Sequence, residues 1–141
     1  MTPKTFKITL RVAWVETDAA QVVHFSNYFR YFERAEEEFY RHIGLSFTSA
    51  ATRGFWFPRV EVFCQYRKPA HFNDLLQVEL VVQEIREKSV QYGFRITNRA
   101  SRALVAEGHV TLVAASISTG KATAIPRDFV EKLKPYAGHL L

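Results

Sequence analysis

A second cysteine is missing. Cys64 is the lone thiol in a chain of 141 residues, so no disulfide can form within it, and a reducing compartment fits that usage. Also missing is any apolar run near the ~20 residues that a membrane-spanning helix needs. The opening stretch, MTPKTFKITL, has neither the long apolar core nor the cleavage site of a signal peptide. A cytoplasmic protein without membrane insertion is expected. The five histidines are scattered without ligand spacing, so no metal site is expected. There is no internal repeat and no low-complexity tract, and the length is that of one domain, taken as 1–141. A chain this long buries roughly 68–70% of its unfolded surface, so it needs no disulfide or metal staple. Acidic residues are the minority, 14 against 19 Lys and Arg, which leaves a net charge of +5. That balance suits a partner carrying phosphates. The basic residues are dispersed, however, with no run longer than Arg67-Lys68. The basic stripe of a nucleic-acid binder is therefore absent, and a nucleotide-tailed small molecule, or simply a solvated surface, fits better.

What is present is a clear change of period. Phe6, Ile8, Leu10, Val12 and Trp14 alternate with Lys7, Thr9, Arg11 and Ala13, the period-2 pattern of a half-buried strand. From Ser26 the apolar step becomes three and four: Tyr28, Tyr31, Phe32, Ala35, Phe39 and Ile43. That is one broad stripe of a helix, with Ser26 or Asn27 to cap its start and Gly44 to stop it. Glu33, Glu36, Glu37 and Glu38 read as its solvated face. Four more strands follow, on Val60–Tyr66, Leu76–Val82, Val90–Ile96 and Leu104–Ala114. Gly93 and Gly108 inside the last two mark bulges or close approach. Ile125-Pro126 opens a short C-terminal helix. Short connections make the last four strands antiparallel neighbours. The helix must bury its aromatic stripe against them. The expected architecture is α+β, a curved antiparallel sheet of about five strands wrapped around one long helix, which is the hotdog fold.

The stretch RVAWVETDAAQVVHFSNYFRYFERAEEEFYRHIGL, residues 11–45, carries a strand, a T-D pair, a short loop of small residues, two β-branched residues, and an N-Y pair opening the helix. It resembles the 4-hydroxybenzoyl-CoA thioesterase family of hotdog proteins. It is also similar to the acyl-CoA thioesterases associated with Tol–Pal systems and to the 1,4-dihydroxy-2-naphthoyl-CoA thioesterases. RKPAHFNDLLQVEL and AIPRDFVEKL resemble later segments of the same family. The resemblance implies an acyl-CoA thioesterase that needs no cofactor, CoA being part of the substrate. An acyl-carrier-protein thioester, with the same phosphopantetheine arm, is an equivalent substrate at this stage. The family's catalytic carboxylate falls on Asp18, and its oxyanion donor on the backbone N–H of Phe25, with Ser26 N–H as a second donor. The positions that meet the nucleotide end of CoA fall on Arg86, Lys88 and Ser89, of which the first two are basic. There are departures: Gln21 and Asn73 occupy positions where the family usually has Gly, Phe25 stands where some relatives carry His or Tyr, with His24 one position earlier, and Glu87 replaces a basic residue found in some relatives. The resemblance also implies a homo-oligomer, a dimer or a homotetramer. Its sheet would continue across a two-fold axis, and its site would be shared with residues 54–63 of the next subunit.

Thioester hydrolysis needs attack at the carbonyl carbon and a sink for charge on its oxygen. A carboxylate can attack directly, giving a mixed anhydride that water opens, or can take a proton from water as a general base. Asp18 suits either role. The helix start offers free N–H groups and the positive end of the macrodipole. His24 stands close in sequence and could orient water or touch the acyl group. Tyr28 is either core or the bed of an aryl group. Glu33 or Glu37 is a second carboxylate candidate, since some hotdog thioesterases carry theirs on this helix. Hydratases of the same fold carry D-x-N-P-x-H, whereas Asp18 and His24 have five residues between them and no Asn-Pro. The remaining alternative is a non-catalytic binder of acyl-CoA or an acyl carrier.

Overall fold

A computed structural model describes residues 4–138. Residues 1–3, part of the segment read above for a signal peptide, and 139–141 lie outside the described residues. β1 is Phe6–Arg11; α1 is Asn27–Ile43; α2 is Phe47–Thr52; β2 is Phe55–Trp56; β3 is Arg59–Tyr66. Then come β4 (Leu75–Ile85), β5 (Ser89–Asn98), β6 (Leu104–Val113), β7 (Ala115–Ser116) and α3 (Arg127–Leu133). No helix among the described residues is long and apolar enough to cross a membrane.

The five long strands form one antiparallel sheet in the order β1-β4-β5-β6-β3. β3 therefore does not pair with β4, as short connections suggested. It crosses to the far edge and pairs with β6, Val62 opposite Val110, while β4 pairs with β1, Val78 opposite Ile8. A local alternation says that a segment is a strand but carries no information about its neighbour. The short pair β2–β7 and the helix α2 carry too little periodicity to be read in advance.

α1 lies across the concave face, as its stripe requires. Tyr31, Phe32, Ala35 and Phe39 are at most 1% exposed. Phe32 stacks on Phe94 of β5 with ring centroids 4.5 Å apart, and Phe39 sets its ring edge against Tyr136 at 4.8 Å. Each such fully buried ring contributes about 2–3 kcal/mol. Gly44 ends the helix at φ 73°, the left-handed conformation that glycine adopts most readily. The architecture is the hotdog fold.

Two local readings need correction. Trp14 does not continue the face of β1. The strand stops at Arg11, and Trp14 lies on a 3-10 turn at Trp14–Glu16, 79% exposed. Glu36 is not on the solvated face; it is 3% exposed. Arg59, the first residue of β3, grips it with two nitrogens at 2.7 and 3.0 Å. Tyr40 donates its hydroxyl to the same carboxylate at 2.5 Å, and Tyr92 Oη lies 2.8 Å from Tyr40 Oη. Burial pushes the Glu36 carboxyl above its ordinary value, against the pull of Arg59 and Tyr40. Helical spacing alone placed Glu36 beside the exposed Glu37. It could not show that a cation from the sheet edge would reach in to meet it.

Candidate active site

The chain leaves β1 through the 3-10 turn, and Glu16 fastens that turn to the start of α1. Its Oε1 accepts the Ala13 N–H at 2.7 Å and the Tyr31 hydroxyl at 2.9 Å. Its carbonyl accepts the His24 N–H at 2.9 Å and the Asn27 side-chain amide at 2.8 Å. The Tyr31 phenol is pushed far above its usual range, first by burial and then by this bond.

Between those anchors residues 17–23 double back. Thr17 bridges Val23, Asp18 N–H donates to Val22 O at 2.9 Å, and Gln21 N–H donates to Asp18 O at 2.9 Å. Asp18 Oδ1 closes the turn by accepting the Ala20 N–H at 2.8 Å. Its other oxygen has no hydrogen-bond partner among the described residues. Gln21 sits at φ 68° and Asn73 at φ 70°. Both residues that stand where the family has Gly thus occupy left-handed backbone. Asn tolerates that region better than Gln does.

The helix start is arranged differently from the capping expected of Ser26 and Asn27. Ser26 is at the N-cap position but makes no side-chain cap. Its hydroxyl meets His24 Nδ1 at 2.7 Å, and its N–H donates to the same nitrogen at 3.3 Å. Nδ1 accepts both, which assigns the ring proton to Nε2. Ser26 N–H is therefore engaged, whereas Phe25 N–H has no partner among the described residues. There is no acidic residue in the first turn of α1 to cancel the positive end of its dipole.

Asp18, Phe25, Tyr28, Tyr66 and Lys68 line one open cleft of about 350 Å³. Tyr28 closes its floor, 4% exposed, and burial pushes its phenol up to about 12. Tyr66, from the end of β3, sets its ring edge on Tyr28 at 5.1 Å and donates its hydroxyl to Phe25 O at 3.1 Å. Lys68 makes no ion pair among the described residues, whereas its neighbour Arg67 is paired with Glu107 at 3.3 Å. Glu16, Tyr66 and Lys68 were not singled out from the sequence. The only signal was their place in or beside the motif-bearing stretches ETD and RKPAHFNDLLQVEL.

Other expected site residues lie elsewhere. His24 does not line the cleft; its ring stacks on Phe25 at 4.3 Å. Glu33 and Glu37 are on the exposed face of α1, and Glu37 borders a separate hollow with Ile8 and Arg34. Arg86 and Ser89 line a hollow at the opposite end of the sheet, with Arg86 held by Glu84 at 2.5 Å. Lys88 lies on the same turn.

Comparison with known proteins gives a consistent result. Residues 12–133 match the family model described as the thioesterase-like superfamily. A putative esterase of Aquifex aeolicus is 31% identical over 124 residues, which cover 88% of this chain and 94% of that protein. The acyl-CoA thioester hydrolase YbgC of Escherichia coli is 28% identical over 134 residues, covering 95% and 99%. The crystal structure of a 1,4-dihydroxy-2-naphthoyl-CoA thioesterase from Synechocystis has the same fold. It superposes with a TM-score of 0.88 at 23% identity, over 93% of this chain and 96% of that one.

Proposed function

The chain belongs to the thioesterase-like superfamily, and we propose that it hydrolyses acyl-CoA thioesters with Asp18 as the catalytic carboxylate and Phe25 N–H as the oxyanion donor. It is a thioester hydrolase; the cleft supports the roles proposed for its residues. One observation carries them. The free oxygen of Asp18 and the open N–H of Phe25 belong to residues lining the same cleft, at the positive end of α1.

The thioester carbonyl would enter with its oxygen toward Phe25 N–H. A well-placed donor of this kind contributes on the order of 3 kcal/mol to the transition state. In the general-base route, Asp18 removes a proton from water as the water oxygen bonds to the carbonyl carbon. The carbon–sulfur bond then breaks, and the proton passes to the departing thiolate. In the nucleophilic route Asp18 bonds to the carbon first, the thiol leaves, and water opens the mixed anhydride. Lys68 at the mouth favours a phosphate-bearing substrate. The finer resemblance, to 4-hydroxybenzoyl-CoA thioesterases, would set an aryl group beside Tyr28 and Phe25. The lone thiol, Cys64, supports a cytoplasmic setting.

The assembly reading rests on β3. This edge strand leaves Val60 60%, Val62 50% and Phe63 44% exposed, an edge that proteins cover or pair. Antiparallel pairing with β3 of a second copy would set the Arg59 end of one strand beside the Tyr66 end of the other. That would carry the second copy's Arg86–Ser89 turn toward the Asp18 cleft, where the nucleotide of CoA could reach it.

A free-thiol assay over aliphatic and aryl acyl-CoAs, with an acyl-carrier-protein thioester beside them, tests the reading. Asp18→Asn should lower turnover at least 100-fold while thioester binding persists; near-native turnover would remove Asp18 from the role. Single turnover in ¹⁸O-water tests the nucleophilic route: label enters the Asp18 carboxylate only if that carboxylate is the nucleophile and water opens the anhydride at the Asp18 carbonyl carbon.

A further inference from the structure

Phe25 has an unusual place in the cleft: the residue proposed as oxyanion donor has a single hydrogen bond to its own backbone groups among the described residues. Its side chain is 63% exposed. It precedes α1, so no helical hydrogen bond fixes it. On its N-terminal side, His24 N–H is tied to Glu16 O at 2.9 Å. On its C-terminal side, the Phe25 carbonyl accepts the Tyr66 hydroxyl at 3.1 Å. Among the described residues, that hydroxyl is the one hydrogen-bond partner of the Phe25 backbone. The peptide that carries the free N–H is held at its own carbonyl, His24 O, by the Asn27 N–H at 2.9 Å, and the next peptide by the Tyr66 hydroxyl, so one anchor is local to the helix start and the other comes from the edge of the sheet.

We infer that Tyr66 is a positioning residue for the oxyanion donor, linking the edge strand β3 to the catalytic backbone. The inference rests on the assignment of Phe25 N–H to that role. Three features favour it. Tyr66 ends β3 and is paired there with Ala106 of β6 on one side only, so its place depends on the sheet and not on the loop it restrains. Its ring is braced against the buried Tyr28 at 5.1 Å, which fixes the direction of the hydroxyl. Burial raises its phenol above the ordinary value, so at neutral pH it remains a donor. A donor preorganised in this way acts on charge that develops in the transition state and leaves ground-state binding alone.

Tyr66→Phe removes the hydroxyl and keeps the ring on Tyr28. The expected result is a fall in kcat of about tenfold with KM within twofold and an unchanged melting temperature. The Phe25 amide should also broaden in a ¹⁵N spectrum. Asp18→Asn is run beside it. If Asp18→Asn silences the enzyme while Tyr66→Phe keeps kcat within twofold, the Tyr66 inference falls and the thioesterase reading stands. A rise in KM at constant kcat would make Tyr66 a substrate contact and overturn the positioning role. If the native chain turns over no thioester, both readings fall.

Discussion

Gln21 holds φ at 68° at the tip of the Asp18 turn, where an L residue is strained by roughly 1–2 kcal/mol. Glycine would relieve that strain but would also loosen the unfolded chain by ~0.4–1 kcal/mol. Gln21→Gly should therefore stabilise the protein by about 0.5 kcal/mol. Gln21→Val should destabilise it by about 1 kcal/mol or more, because β-branched side chains fit left-handed backbone worst. Urea unfolding of the pair checks the order; a Val variant as stable as the Gly variant would mean that the turn has changed conformation. The residue scale is also where the sequence was most uneven. Asp18 and Phe25 could be singled out because they fall within one continuous motif, and the two departures from glycine mapped onto left-handed positions. Glu16 and Tyr66 could not, because their roles consist of contacts 15 and 41 residues away. His24 drew attention as a lone imidazole, and one of its two ring nitrogens, Nδ1, is occupied by Ser26.

At the scale of elements, the joint between α1 and β3 depends on an ion pair whose carboxylate is buried and whose cation is partly exposed. Arg59→Leu would leave Glu36, 3% exposed, without its cation. Removing one partner of such a pair costs about 3 kcal/mol, whereas replacing both is close to neutral. The cost should depend on pH. Burial already raises the folded Glu36 value above that of the unfolded carboxyl, ~4.3, and losing Arg59 raises it further. A raised acid binds its proton more tightly when folded, so its contribution is fully present below the unfolded value and is lost as pH climbs through the folded one. The destabilisation by Arg59→Leu should accordingly be small near pH 4 and grow toward pH 8. The double variant Arg59→Leu/Glu36→Gln should show little of that slope, and denaturant melts at several pH values would decide. The strands of the sheet were legible from alternation because each buries one face. The crossover of β3 to the far edge was not, since it is settled by which strand edges remain unpaired once the sheet has closed over α1.

At the scale of the whole molecule, edge and cleft belong to one argument. The Asp18 cleft is open, the Arg86–Ser89 turn is at the other end of the sheet, and the strand between cleft and solvent presents Val60 and Val62 more than 45% exposed. Pairing β3 across a two-fold axis would bury those valines, satisfy the free backbone groups of the edge, and bring the two halves of a CoA site together. Lysine on an edge strand opposes pairing. Because both positions are exposed within one chain, Val60→Lys/Val62→Lys should leave the subunit fold intact. Light scattering should then give a mass near that of one chain, 16.3 kDa, where the native protein gives at least twice that. Turnover should fall together with assembly, with KM for acyl-CoA rising as the second copy's Arg86 turn is lost. A simple acyl thioester lacking the nucleotide should be affected less. Native mass with native turnover would show that β3 is not the joint. A monomer with undiminished kcat and KM would show that each cleft is complete within its own chain.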